Sequence, residues 1–185
     1  GLDIGAHRGY WTLYHASRLP SYARVLLLEP APQNFHYLLH NLALNKAMYA
    51  VPLPLAAWRE PTQLVLETPD TSIQAHASYG HRVSEKPSLH GRSVWATSVD
   101  ALVSLLSLPA VDWMKIDVEG AEVAVLEGAR QTLERFSPTL WIEVHDTWQP
   151  LREFLHTMGY TIRDEILKAD PEGPYPERGY LWAEK

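Results

Sequence analysis

Short apolar runs bounded by turn residues recur along the chain, alternating with stretches whose apolar positions fall every three or four residues. The runs at 1–5, 24–29, 48–55, 111–118 and 139–144 predict buried parallel strands. Helical patterns fill the spaces at 10–18, 32–44, 121–136 and 150–158. In the second of these, Phe35, Leu38, Leu39 and Leu42 form one face, and Pro32 suits a first turn. Gly159 stops the fourth. Two further β-like runs, 160–166 and 179–183, are separated by a turn-rich segment with no helix. Strands alternating with helices predict an α/β fold with a doubly wound, mostly parallel sheet. The helix-free closing pair predicts an antiparallel last strand.

The stretch from Trp58 to Asp100 breaks this rhythm. Residues 63–67 and 94–98 read as short strands. Between them, 69–92 is polar and rich in Ser, His, Gly and Pro, and a loop of that length predicts a functional segment, a candidate substrate loop or lid. The 185 residues fit one domain over 1–185. The chain opens at Gly1, without a methionine, in what reads as the end of a strand, so upstream residues are expected.

Charge narrows the partners. A formal net charge of -6 with no basic run argues against a nucleic-acid backbone. No apolar stretch reaches membrane-spanning length and no signal peptide is visible, so no membrane is expected as a partner. The absence of cysteine removes disulfides and thiolate metal sites and fits a cytoplasmic protein.

Chemistry concentrates in two places. The first is Asp3-Ile4-Gly5-Ala6-His7-Arg8-Gly9, a strand end running into a glycine-bracketed turn and then a helix. A second strand stops at Glu29, which is placed to accept hydrogen bonds from ribose hydroxyls. This is the layout of a nucleotide-type cofactor site. The G-x-G-x-x-G spacing of a dinucleotide site is absent, and Asp3 would repel a pyrophosphate. A cofactor with positive charge fits better, and S-adenosylmethionine carries an ammonium and a sulfonium.

The second place is Lys115-Ile116-Asp117-Val118-Glu119-Gly120-Ala121-Glu122, followed one strand later by Glu143-Val144-His145. Charged groups in buried strands belong at the carboxyl ends, where α/β sheets bind ligands. Glu119 and Glu122 favour the N-terminus of the next helix. Lys115 is expected to pair with an acid such as Glu143 or Asp117.

The runs "LDIGAHRGYWT", "LLLEPAPQNFHYLLHNLALN", "VDWMKIDVEGAEVAVLEGA" and "LWIEVHD", in that order, resemble the FkbM-type S-adenosylmethionine-dependent methyltransferases. The resemblance runs from Leu2 to about Asp164. It implies a Rossmann-like class I methyltransferase sheet of seven strands, the last antiparallel, and methyl transfer to a hydroxyl of a sugar or natural-product-like small molecule. It implies that S-adenosylmethionine is held by Asp3, Gly5, Ala6, His7, Gly9, Glu29, Pro30, Asn34, Ala57 and Asp117. His7 departs from the pattern, since many members carry Asn there, and the 69–92 loop has no clear match.

Blander roles stand beside these. Asp3 could cap the first helix turn, although its register with Gly5, Gly9 and Glu29 favours a cofactor contact; Asn34 could simply start its helix. The catalytic residues expected are His145, a neutral imidazole able to take a hydroxyl proton, and Asp117, which orients the reactants. Asp117, Glu119, Glu143 and His145 could hold a divalent ion, but capping and pairing account for them and no metal is expected. His76, His81 and His90 read as solvated, and Trp11 and Trp58 as near the cofactor edge. A nicotinamide-dependent oxidoreductase and a non-catalytic cofactor-binding or interaction module are the alternatives; the first lacks both the glycine fingerprint and a Tyr-x-x-x-Lys pair.

Overall fold

The computed structural model describes residues 1–67, 81–86, 88–89, 91–169 and 177–185. Most of the proposed 69–92 lid, with His76 and His90, lies outside the described residues. The main sheet has seven strands: β1 (Leu2–Ile4), β2 (Val25–Leu28), β3 (Ala50–Leu53), β8 (Trp113–Ile116), β9 (Thr139–His145), β10 (Thr161–Ala169) and β11 (Glu177–Glu184). Their order is β10-β11-β9-β8-β1-β2-β3. Among these, β11 runs antiparallel to both neighbours and the other pairings are parallel. The antiparallel last strand was expected; it lies between β10 and β9, one position in from the edge.

Strand alternation sorts the core onto two faces. Leu26 and Leu28 face one side with Leu2, Ile4, Met114 and Ile142, under α3 (Val99–Leu105), α4 (Glu122–Glu127), α5 (Arg130–Phe136) and α6 (Trp148–Thr157). Val25 and Leu27 face the other side, against Leu38 and Leu42 of α2 (Pro32–Leu44) and Leu13 of α1 (Tyr10–His15). A short 3-10 turn, Ala16–Arg18, extends α1.

Two helical readings change. The helix expected at 121–136 is two helices, broken at Gly128 and Ala129. A Cβ at Gly128 would meet the Trp58 carbonyl, so the chain passes there in close contact with the neighbouring segment. The new helix start is satisfied from outside: the Asp100 carboxylate accepts from Gln131 N–H at 3.0 Å, Thr132 N–H at 2.8 Å and Thr132 Oγ1 at 2.7 Å. Helix α3 was not anticipated, although Val99, Leu102 and Val103 line its buried face and Ser98 Oγ caps Ala101 N–H at 3.1 Å.

The irregular stretch after β3 contains a second sheet of β4 (Ala56–Ala57), β5 (Thr62–Glu67), β6 (Arg82–Ser84) and β7 (Arg92–Thr97), ordered β4-β7-β5-β6. Its inner face, with Leu64, Leu66, Val94 and Ala96, packs on Ala31, Ala121 and Ala124. It therefore leans on the loops that follow β2 and β8, at the carboxyl edge of the main sheet.

Candidate functional site

Four strand ends build the site. After β1 the chain enters a turn in which Gly5, His7 and Gly9 all adopt left-handed backbone, with φ of 75°, 52° and 80°. His7 fits because His, like Asn, is among the side chains that tolerate that region. Gly5 has no substitute: a Cβ there would strike the Asp117 carbonyl across the β1–β8 junction. Gly5 and Ala6 both donate to the Leu28 carbonyl, at 3.0 and 2.9 Å, so the turn is clamped to β2.

Glu29 follows β2. It is 5% exposed, and its carboxylate accepts from His7 N–H and Ala31 N–H, each at 2.8 Å. Burial pushes its pKa up, opposed by those two N–H groups, by Lys115 and by Asn34. Two backbone N–H groups and the Asn34 side chain hold the carboxylate in place, and it keeps acceptor capacity for a ligand hydroxyl.

Lys115 lies behind the turn. Its ammonium donates to the Gly5 carbonyl at 2.7 Å and faces Asp3 at 3.2 Å and Asp117 at 3.5 Å. These carboxylates outweigh burial and hold the ammonium's pKa up. The partners of Lys115 are thus Asp3 together with Asp117, the second being one of the two acids expected. Asp3 also accepts from Thr12 Oγ1 at 2.6 Å and is fully buried, so it supports the turn from beneath.

Around Asp117 the charges are crowded. Burial and the neighbouring Glu143 and Glu119 push its pKa up to about 6 against the pull of Lys115 and His145. His145, at the end of β9, is 1% exposed. Its Nδ1 meets Glu122 at 2.9 Å, and its Nε2 faces Glu119 at 3.5 Å and Glu143 at 3.6 Å. Burial opposes its charge, but the carboxylates prevail and raise its pKa to about 10. This corrects the reading of His145 as a neutral base: an enclosed imidazolium with carboxylates at both nitrogens has no free lone pair near neutral pH. Glu122, read in the sequence as helix-terminal charge, is the residue that fixes it. Its side chain also accepts from Gly120 N–H at 3.0 Å and Thr147 Oγ1 at 2.8 Å. Asp117, Glu143 and His145 place ligand-type atoms within 4.8 Å of one another.

A pocket opens over these ends, lined by Gly5, His7, Leu28, Glu29, Pro30, Asn34, Leu55, Ala56, Ala57, His81, Val83, Asp117, Val118 and Glu119. Of the expected site residues it gathers Gly5, His7, Glu29, Pro30, Asn34, Ala57 and Asp117. Asp3, Ala6 and Gly9 shape the turn from outside the wall, and His145 stands behind Asp117. The sequence reading missed Leu55, Ala56 and Val83, which the second sheet and its approach bring in, and treated His81 as solvated although it lines the wall. Trp11 is elsewhere, packed on Trp113 with ring centroids 5.2 Å apart. Trp58 is spent on the second sheet's core and on Glu85, to which its Nε1–H donates at 2.9 Å.

The family model described as Methyltransferase FkbM domain matches residues 3–162. Methyltransferase sdnD of Sordaria araneosa is 29% identical over 203 residues, covering 92% of this chain and 77% of that protein. Among solved structures, Methyltransferase FkbM from Methylobacillus flagellatus aligns with a TM-score of 0.64 at 17% identity, over 97% of this chain and 42% of that one. This chain therefore spans under half of that protein. Aeropyrum pernix fibrillarin, solved with natively bound S-adenosyl-L-methionine, aligns with a TM-score of 0.59 at 15% identity, over 98% of this chain and 64% of that one. At these identities the two structures speak for a shared fold.

Proposed function

The chain belongs to the FkbM methyltransferase family, and from that premise we propose that it moves a methyl group from S-adenosylmethionine to a hydroxyl of a small-molecule acceptor. The observation that carries the reading is the pocket over the β1, β2 and β8 ends, with a fixed carboxylate on one side and an acidic mouth on the other. The lining fits the donor. Glu29, held by two backbone N–H groups and by the buried Asn34, keeps acceptor capacity for a ribose hydroxyl. Pro30, Leu55, Ala56 and Ala57 offer an apolar slot for a flat base. The Gly5 turn and Asp117 take the charged amino-acid end. Asp3, Ala6 and Gly9 act by holding that turn in shape.

S-adenosylmethionine supplies an activated methyl group on a sulfonium. The protein's part is to hold the acceptor oxygen in line at near-attack distance, from which much of the acceleration comes. Asp117 and Glu119 face the pocket and are the carboxylates available to orient a hydroxyl there. An acidic mouth disfavours a phosphate-rich acceptor and suits a neutral polyhydroxylated one, such as a sugar.

Calorimetric titration with S-adenosylmethionine, S-adenosylhomocysteine and NAD tests the donor; the first two should bind and NAD should not. A panel of hydroxylated acceptors with matched amines, followed by mass spectrometry, tests the atom methylated. Methyl ethers are expected, and exclusive N-methylation overturns the hydroxyl assignment.

A further inference from the structure

Among the described charged side chains around Lys115 and His145, Asp117 is the most exposed, ahead of Glu119 at 18% and Glu143 at 11%. Its side chain is 28% exposed, against 7% for Lys115 and 0% for Asp3 and His145. Its cation is also shared thinly. Lys115 gives its shortest contact to the Gly5 carbonyl, the next to Asp3 and the longest to Asp117. The imidazolium of His145 is engaged by Glu122, Glu119 and Glu143. Asp117 thus holds the longest of the three Lys115 contacts, and it lines the pocket together with Glu119. If the diol and base occupy the side of the pocket with Glu29 and Ala57, the Gly5 and Asp117 side receives the sulfonium.

We propose that Asp117 reads the charge of the cofactor's sulfur: it gives up a proton when the sulfonium form binds and takes one back when that charge disappears. The proposal rests on the cofactor reading above. In the free protein, burial with Glu119 and Glu143 lets Asp117 hold a proton near pH 6, while Lys115 and His145 restrain it. A positive sulfur nearby favours the carboxylate and expels that proton. In turnover the acceptor's hydroxyl oxygen bonds to the methyl carbon as the methyl's bond to sulfur breaks, leaving its electron pair on sulfur. The charge that held Asp117 ionised vanishes in that step, and the hydroxyl proton goes to Asp117. The donor is thereby favoured over the neutral thioether product by a residue in the wall.

Calorimetry on the whole chain tests this without an acceptor. S-adenosylmethionine should bind about tenfold more weakly near pH 5 than near pH 7.5, because a group titrating near 6 must then be deprotonated on binding. Titrations near pH 6 in two buffers of different ionisation enthalpy should show proton release of roughly half an equivalent. S-adenosylhomocysteine, which keeps the ammonium but lacks the sulfonium, should show markedly smaller effects, and in Asp117→Asn the pH dependence and proton release with S-adenosylmethionine should disappear even where its affinity falls. Glu143→Gln gives an independent check, since removing that charge should move the midpoint of the S-adenosylmethionine pH dependence to lower pH. Equal pH dependence for the two ligands, or its survival in Asp117→Asn, overturns the proposal. Failure of both ligands to bind at any pH overturns the cofactor reading beneath it instead.

Discussion

Replacing His145 by Gln should remove a pH-dependent part of the fold's stability. In the native protein the imidazolium is held at a pKa of about 10, whereas in the unfolded chain it returns to about 6.5. Between those values the folded protein binds one more proton than the unfolded one. The contribution is therefore present in full below about pH 6.5, falls by about 1.4 kcal/mol per pH unit above it, and is gone beyond about pH 10. From about pH 6.5 to about pH 8.5 the loss is about 2–3 kcal/mol, or about 5–10 °C in Tm for a chain of this size. Melting curves by circular dichroism across that range would show it. Other groups titrate too, so the quantity to read is the difference between wild type and His145→Gln. That difference should shrink steadily with rising pH. Parallel curves, or ¹⁵N NMR showing a neutral imidazole near pH 8, would refute the imidazolium and restore His145 as a candidate base.

Glu29→Ala should weaken both S-adenosylmethionine and S-adenosylhomocysteine by about 10–100-fold in calorimetry, the cost of a lost charge-assisted hydrogen bond. Lys115→Met leaves Asp3 and Asp117 uncompensated beneath the Gly5 turn, and urea unfolding should report a loss of about 3–5 kcal/mol. Gly5→Ala combines a positive φ with a collision at the Asp117 carbonyl; it should cost more than about 1 kcal/mol in the same assay and damage cofactor binding. Turnover should persist in EDTA; activity abolished by EDTA and restored by Mg²⁺ would make Asp117, Glu143 and His145 an ion site after all.

Strands β1, β2 and β8 were legible because each is a short apolar run buried on both faces, and Leu2 to Ile4, Val25 to Leu28 and Trp113 to Ile116 lie within their expected ranges. The pocket's acidic and glycine residues were legible for the same reason: charge at the end of a buried strand has few other uses. Periodicity did not reveal the break at Gly128, because its cause is a contact with Trp58 some 70 residues away in sequence. Nor did it reveal the pocket wall from β4 and β6, whose bounds, Ala56–Ala57 and Arg82–Ser84, leave too few residues to show a pattern. The charge state of His145 was misjudged for a related reason. Glu143 two residues away was visible, but the decisive Glu122 arrives from another element, and sequence spacing does not report which carboxylate meets which nitrogen.

One edge of the main sheet is β3, whose paired side is turned to β2: Val25 N–H donates to the Tyr49 carbonyl and Glu29 N–H to the Leu53 carbonyl. Backbone groups alternate along a strand, so Pro52, midway between Val51 and Leu53, presents the position of its missing N–H to the open side. An incoming strand would find a gap in the ladder there. The same short segment that leads into the cofactor wall at Leu55 thus guards the sheet against edge-to-edge aggregation. A Pro52→Val exchange would keep the packing surface while restoring the donor, leaving the ligand pocket intact and making the protein more prone to self-association through β3.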